Sequence, residues 1–226
     1  MTEEEYAAIE PDGRDEYGPA FFKYTEEDHG WSGEIFGRLL WSIYQPRSVI
    51  EFGCGAGATS AAIRACGCSV RATDYSLAAG AFVASRDPGI EFVQLDLARP
   101  ASEISRDLAI CVEVLEHLPP EDAPQAVANL SSFAPRVIIT ACPPTRRTVT
   151  RVKAGEKVLH LNEQPFEYWV RLFKKNGMRL NKKATRALQD MMFALSRFGP
   201  LPTGGQKQVI PGWYYREQLG VFEVKP

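Results

Sequence analysis

The sequence predicts a doubly wound α/β fold, and three observations predict it. Short apolar runs alternate with stretches of helical period from Ser48 onward, the pattern of strands and helices taken in turn. The first run ends in a glycine turn, Gly53-Cys54-Gly55-Ala56-Gly57, that leads into an alanine-rich helix. Acids stand where the second and third strands end, Asp74 and Asp96, and that end of the sheet is where such folds take ligands. A chain of 226 residues, 45% of them hydrophobic, suffices for one such domain with small additions. Residues 1–45 read as an N-terminal arm and small helical cap, and residues 46–226 as the α/β domain.

Taken in order, residues 1–16 are acidic, broken by Pro11-Asp12-Gly13, and read as an arm. Tyr17–Trp31 is rich in rings (Tyr17, Phe21, Phe22, Tyr24, Trp31), with His29 among them, and a small cap would bury them. Ile35, Leu39, Leu40 and Ile43 give Glu34–Tyr44 a helical period, which Pro46 ends. Val49–Phe52 reads as a buried strand and Ala58–Ala65 as a helix that Gly67 stops. Cys68–Thr73 is a second strand, and Ser76–Ser85 a helix closed by Pro88-Gly89. Ile90–Leu95 and Asp107–Val112 are the third and fourth strands. Glu121–Phe133 places Ala123, Ala126, Val127, Leu130 and Phe133 on one helical face. Arg136–Ala141 is a fifth strand, cut off by Pro143-Pro144. Thr145–His160 has no clear period and is basic, a candidate lid. Pro165 opens a helix with Phe166, Trp169, Val170 and Phe173 on one face, and Gly177 caps it. Met178–Lys183 reads as a sixth strand. Leu188, Met191, Met192, Leu195 and Phe198 mark a further helix, and Trp213–Val224 is the last strand.

The net charge of −2 gives no sign of nucleic-acid or acidic-membrane binding. No apolar run approaches a membrane span, and the acidic N-terminus is no signal peptide. Cysteines 54, 66, 68, 111 and 142 are odd in number and sit in or beside predicted strands and helices. They read as free thiols in a reducing cytosol. Charge is uneven: Met1–Glu34 holds eleven acids and two bases, Thr145–Arg186 twelve bases and three acids.

The glycine turn makes a cradle, because backbone without Cβ can touch a ligand and the helix start offers free N–H groups. Gly53-x-Gly55-x-x-Ala58 also satisfies the dinucleotide fingerprint, so the turn alone does not choose a ligand. Glu51, just ahead of it, would repel a pyrophosphate and suits a cationic or hydroxyl-bearing end. Asp74, twenty-one residues beyond Gly53, can accept both hydroxyl protons of a ribose. Asp96 can accept an amino proton from an adenine ring, while the N–H of Leu97 donates to a ring nitrogen.

Together with Glu113-Val114-Leu115-Glu116-His117-Leu118-Pro119, these features resemble the class I S-adenosylmethionine-dependent methyltransferases over about Ser48–Pro144. His160-x-Asn162 before an aromatic helix and Trp213-Tyr214-Tyr215 are similar to the small methyltransferases as well. The resemblance implies a Rossmann-like seven-stranded sheet whose last strand is antiparallel, and S-adenosyl-L-methionine as cofactor. It puts Glu51 and the backbone of Gly53, Cys54, Gly55 and Gly57 at the methionine part. It puts Asp74, with Tyr75 beside it, at the ribose, Asp96 and Leu97 at the adenine, and Glu113 beside the sulfonium. Tyr24 and Trp31 would close over the cofactor.

The function this implies is a cytoplasmic enzyme that methylates an O or N atom of a small molecule. A sulfonium methyl is already activated, so the protein must align the nucleophile and remove its proton. His117 and His160 are the candidate bases. Arg146, Arg147, Arg151, Lys153 and Lys157, against Glu156 alone, favour an acceptor with a carboxylate or phosphate. A second reading takes Glu113-x-x-Glu116-His117 with His160 as a magnesium or manganese site. That arrangement is similar to the small-RNA 3′-terminal 2′-O-methyltransferases. Near-neutral charge and the lack of an RNA-binding appendage argue against it. In metal-free relatives Glu116 and His117 simply open the next helix, so no metal is expected. A third reading is a non-catalytic S-adenosylmethionine-binding module.

Overall fold

The computed structural model describes residues 17–101, 105–144, 160–198 and 218–224. Seven strands form one sheet in the order β3-β2-β1-β4-β5-β7-β6. They are β1 Ser48–Phe52, β2 Ser69–Asp74, β3 Glu91–Gln94, β4 Leu108–Val112, β5 Arg136–Thr140, β6 Met178–Leu180 and β7 Leu219–Val224. β1 pairs in parallel with β2, β2 with β3, and β4 with β5. β7 runs antiparallel to both β5 and β6. This is the predicted doubly wound sheet with its last strand reversed. The described residues divide into two compact units, one up to Asp96 together with residues 194–198, the other from Leu97 to Phe193 with β7.

In the first unit the cap is one long helix, α1, Pro19–Tyr44, where the sequence suggested a helix only from Glu34. Proline at the first position costs nothing, because that N–H has no helical partner. Gly33 and Gly37 do not break it, because they are packing positions. A Cβ on Gly37 would lie 2.6 Å from the Thr59 carbonyl oxygen and 2.9 Å from the Ala62 Cβ. These glycines let α1 cross close over α2, Ala58–Arg64. Phe22 is buried against Ala56, Ala78, Ala79 and Phe82, with Tyr17 and Phe21 packed around it. The aromatic cap therefore seats on α3, Leu77–Arg86. Ser76 caps α3 by accepting from Ala78 N–H at 3.2 Å, and its hydroxyl donates to Tyr17 O at 2.9 Å. The side chains of Tyr24 and Trp31 lie outside the described residues, as do the acidic arm, 1–16, and the basic segment, 145–159.

The second unit holds β4 to β7 with α4, Ala123–Phe133, and α5, Phe166–Lys175. β4 and β5 are buried almost throughout, as strands covered on both faces must be. Trp169 and Phe173 of α5 are fully buried, and Phe173 stacks on Phe222 of β7 with centroids 4.0 Å apart. β6 stops at Leu180 rather than Lys183. The side chain of Asn181 accepts from Ala184 N–H at 3.0 Å and so opens α6, Lys182–Phe198. The last strand begins at Leu219, and the earlier part of its predicted span, including Trp213, lies outside the described residues. Among the described residues no helix is long and apolar enough to cross a membrane.

Candidate functional site

The first cluster is built on the turn between β1 and α2. Gly53, Gly55 and Gly57 have φ of 65°, 54° and 76°, the left-handed region that favours glycine. Cys54 N–H donates to Thr73 O and Gly57 N–H to Cys54 O, both at 2.9 Å, which closes the turn onto β2. Asp74 finishes the job. Its two carboxylate oxygens accept from Gly55 N–H and Ser76 N–H, each at 3.0 Å. The predicted pair of turn and acid is thus brought together. A Cβ built on Gly55 would meet nothing within 4 Å, so the backbone there faces open space. That is the cradle a ligand needs, with Asp74 at its side. Asp96 and Tyr75 are half-buried, and the Tyr75 carbonyl accepts from Gln94 at 2.9 Å.

Glu51 is buried, and its Oε2 accepts from the Ser60 hydroxyl at 2.5 Å. Burial raises its carboxyl from 4.5 to about 7, against the hydrogen bonds from Ser60 and Thr59 that pull it down. It therefore also tethers β1 to the start of α2, a task its place in the sequence did not announce. Burial, and then Asp74 and Glu51, push the Cys54 thiol well above its ordinary value, so it stays protonated. A thiol so held is no nucleophile.

The second cluster lies in the second unit. Leu97 is pinned by Asn129, whose amide donates to Leu97 O at 2.9 Å and Arg99 O at 2.7 Å. Glu113 sits just past β4 with φ 54°, a left-handed conformation that a residue with a Cβ adopts at a cost. Its N–H is held by Thr140, at 3.2 Å from the carbonyl and 3.1 Å from the hydroxyl. Leu115–His117 then forms a single 3-10 turn, separate from α4, so Glu116 and His117 do not open the next helix. Glu116 is fully buried; its Oε1 accepts from Cys142 N–H at 3.2 Å. Oε2 of Glu116 and Oε1 of Glu113 are buried with no hydrogen-bond partner among the described residues. Burial first, then Glu113, raise the Glu116 carboxyl well above its ordinary range.

His117 and His160, 43 positions apart in the chain, are brought edge to face with ring centroids 4.7 Å apart. Sequence reasoning missed two of their neighbours. Glu163 Oε1 lies 2.8 Å from His160 Nδ1, and Cys142 donates its thiol to the same oxygen at 3.7 Å. Burial and the neighbouring carboxylates push the Cys142 thiol up to about 12. The His160-x-x-Glu163 spacing was the available signal. One ligating atom each from Glu116, His117 and His160 lie within 4.8 Å of one another, and so do those of Cys142, His160 and Glu163.

Residues 49–134 match a family model described as a methyltransferase domain. Two proteins of Mycobacterium tuberculosis (strains CDC 1551 and H37Rv), each named "Probable S-adenosylmethionine-dependent methyltransferase", are 40% identical over 73 residues. The match takes 32% of this chain and 27% of theirs, so the chain spans about a quarter of the length of these relatives. Solved structures cover far more of it. The magnesium protoporphyrin IX methyltransferase of Synechocystis PCC 6803 superposes with a TM-score of 0.62 at 19% identity, over 90% of this chain and 86% of that one. A TehB-like SAM-dependent methyltransferase of Corynebacterium glutamicum does so with a TM-score of 0.61 at 18% identity, over 92% and 100%. The N-methyltransferase NodS of Bradyrhizobium japonicum gives 0.58 at 15% identity, over 90% and 91%. At these identities the structures speak for the fold, and the domain match speaks for residues 49–134. The glycine turn with its acid and the reversed seventh strand stand on a fold shared with these solved methyltransferases, and residues 49–134 match a methyltransferase domain.

Proposed function

We propose that the chain transfers a methyl group from S-adenosyl-L-methionine to an oxygen or nitrogen atom of a small molecule. The observation that carries this reading is the open turn at Gly55 with Asp74 bonded beneath it. When bound, the cofactor supplies a methyl group on a positively charged sulfur. The chain's own residues bind it and handle a proton. Asp74, with Tyr75 beside it, takes the ribose hydroxyls, its carboxylate oxygens being acceptors beside the open turn. Glu51 and the backbone of Gly53, Cys54, Gly55 and Gly57 take the amino-acid end. Asp96 and Leu97 take the adenine, and Glu113 the neighbourhood of the sulfonium. Tyr24 and Trp31 close over the cofactor. His160 or His117 removes the acceptor's proton. The basic segment outside the described residues, Arg146 to Lys157, supports an anionic acceptor, and the five free cysteines support a cytoplasmic setting. Calorimetry with S-adenosylhomocysteine tests the core of this reading. One-to-one binding is expected, and a flat titration sinks it.

A metal-dependent mechanism is the second reading, because the ligating atoms of Glu116, His117 and His160 converge within 4.8 Å. These are three of the four residues that make the chain similar to the RNA 2′-O-methyltransferases. Turnover that survives EDTA supports the metal-free reading. Loss on chelation with recovery in manganese supports the second.

A further inference from the structure

We propose that Glu163 is a positioning residue that fixes which nitrogen of His160 carries the hydrogen, leaving Nε2 as the nitrogen with the free lone pair. The inference rests on the reading above that His160 is a working side chain. Nδ1 of His160 lies 2.8 Å from Glu163 Oε1. An ionised carboxylate can only accept, so Nδ1 must donate. The Glu163 side chain is 7% exposed and that of His160 32%, so the carboxylate backs the ring and the imidazole holds the more open position. Cys142 donates to the same oxygen, a second donor that keeps Glu163 an acceptor.

The backbone holds this arrangement in place. Leu161 N–H and Asn162 N–H both donate to the carbonyl of Glu116, at 2.8 and 2.9 Å. Two neighbouring N–H groups on one oxygen keep the segment from sliding. Asn162 is buried, and its side-chain oxygen accepts from Gln164 at 2.9 Å. The segment that carries both His160 and Glu163 is therefore clamped to the turn that carries His117. The partner on one ring nitrogen sets the state of the other. A histidine without such a partner favours the hydrogen on Nε2, the opposite of what Glu163 imposes. Nε2 with a lone pair can take a proton from an O–H or N–H acceptor.

The test is the tautomer itself. Protein labelled with 15N in histidine is observed by long-range 1H–15N spectroscopy at a pH where the ring is neutral. His160→Gln identifies the resonance by its loss. Wild type should carry the hydrogen on Nδ1. Glu163→Ala should move it toward Nε2, and Glu163→Gln, whose amide oxygen still accepts, should restore the wild-type pattern. Hydrogen on Nε2 in wild type, or no change in Glu163→Ala, overturns the proposal. If Glu163→Ala fails to fold, the wild-type and Glu163→Gln spectra decide alone. S-adenosylhomocysteine affinity, measured in parallel, should be unchanged by Glu163→Gln. Its absence in wild type would overturn the methyltransferase reading while leaving the tautomer result standing.

Discussion

Replacing Glu51 by glutamine should make the protein more stable at pH 8 and leave it unchanged near pH 4. Glu51 is buried between β1 and α2, and its carboxyl is raised from 4.5 to about 7. The unfolded chain releases this proton at about 4.5, while the folded chain keeps it until about 7. As pH climbs through that interval the unfolded state loses a proton that the native state retains, so stability falls; above about 7 the penalty is constant. The interval, at 1.36 kcal/mol per pH unit, corresponds to about 3 kcal/mol. Glutamine cannot ionise, and its side-chain oxygen can still accept the Ser60 hydroxyl that now bonds Oε2. The assay is urea unfolding of both proteins from pH 4 to 9. Every other titrating group cancels in the difference, leaving a rise of about 3 kcal/mol in favour of Glu51→Gln, centred between 4.5 and 7. A flat difference, or a midpoint near 4, would refute the reasoning, because it would mean that Glu51 is solvated.

Asp74→Ala should weaken S-adenosylhomocysteine binding by about 1–3 kcal/mol, since it removes the proposed ribose acceptors and frees the N–H of Gly55. Equal affinity by calorimetry would displace Asp74 from the site. Gly37→Ala should lower stability by about 1–3 kcal/mol in a chemical melt, because its Cβ would sit 2.6 Å from a main-chain oxygen that can yield only if α1 moves. An unchanged melt would mean that α1 and α2 are loosely packed.

The sheet was legible because β1, β2, β4 and β5 are short apolar runs bounded by glycine, proline or acids, and each keeps its alternate faces covered. The turn and Asp74 were legible for a similar reason: φ near +60° leaves a short list of residues, and glycine heads it. What sequence could not supply was partnership over distance. Glu51 reads as a ligand residue, yet Ser60, nine positions on, claims one of its oxygens. Gly33 and Gly37 look out of place in a helix until the Ala58 Cβ beneath the first and the Thr59 carbonyl beneath the second are seen. Glu163 had a spacing, three residues after His160, but one shared with many solvent-facing pairs. Only burial of its carboxylate separates it from those.

The backbone at Glu113 makes the strongest case that a side chain was chosen for something other than folding. A residue with a Cβ at φ 54° costs about 1–2 kcal/mol, and glycine would remove that cost. An acid stands there instead, with a buried oxygen that no donor among the described residues reaches, against a second buried acid. Both choices oppose stability, and such opposition collects where a site is held ready. Two substitutions separate backbone from side chain. Glu113→Ala and Glu113→Gly both delete the carboxyl, but only glycine relieves the left-handed strain. Glycine also loses about 0.5–1 kcal/mol to the greater freedom of the unfolded chain. Glu113→Gly should therefore be more stable than Glu113→Ala by up to about 1 kcal/mol, and at least as stable as wild type at pH 8. If Glu113 serves the cofactor, both substitutions weaken S-adenosylhomocysteine binding alike. An alanine substitution as stable as the glycine one would show that the conformation carries no strain, and undiminished ligand affinity would show that the carboxyl is there for another purpose.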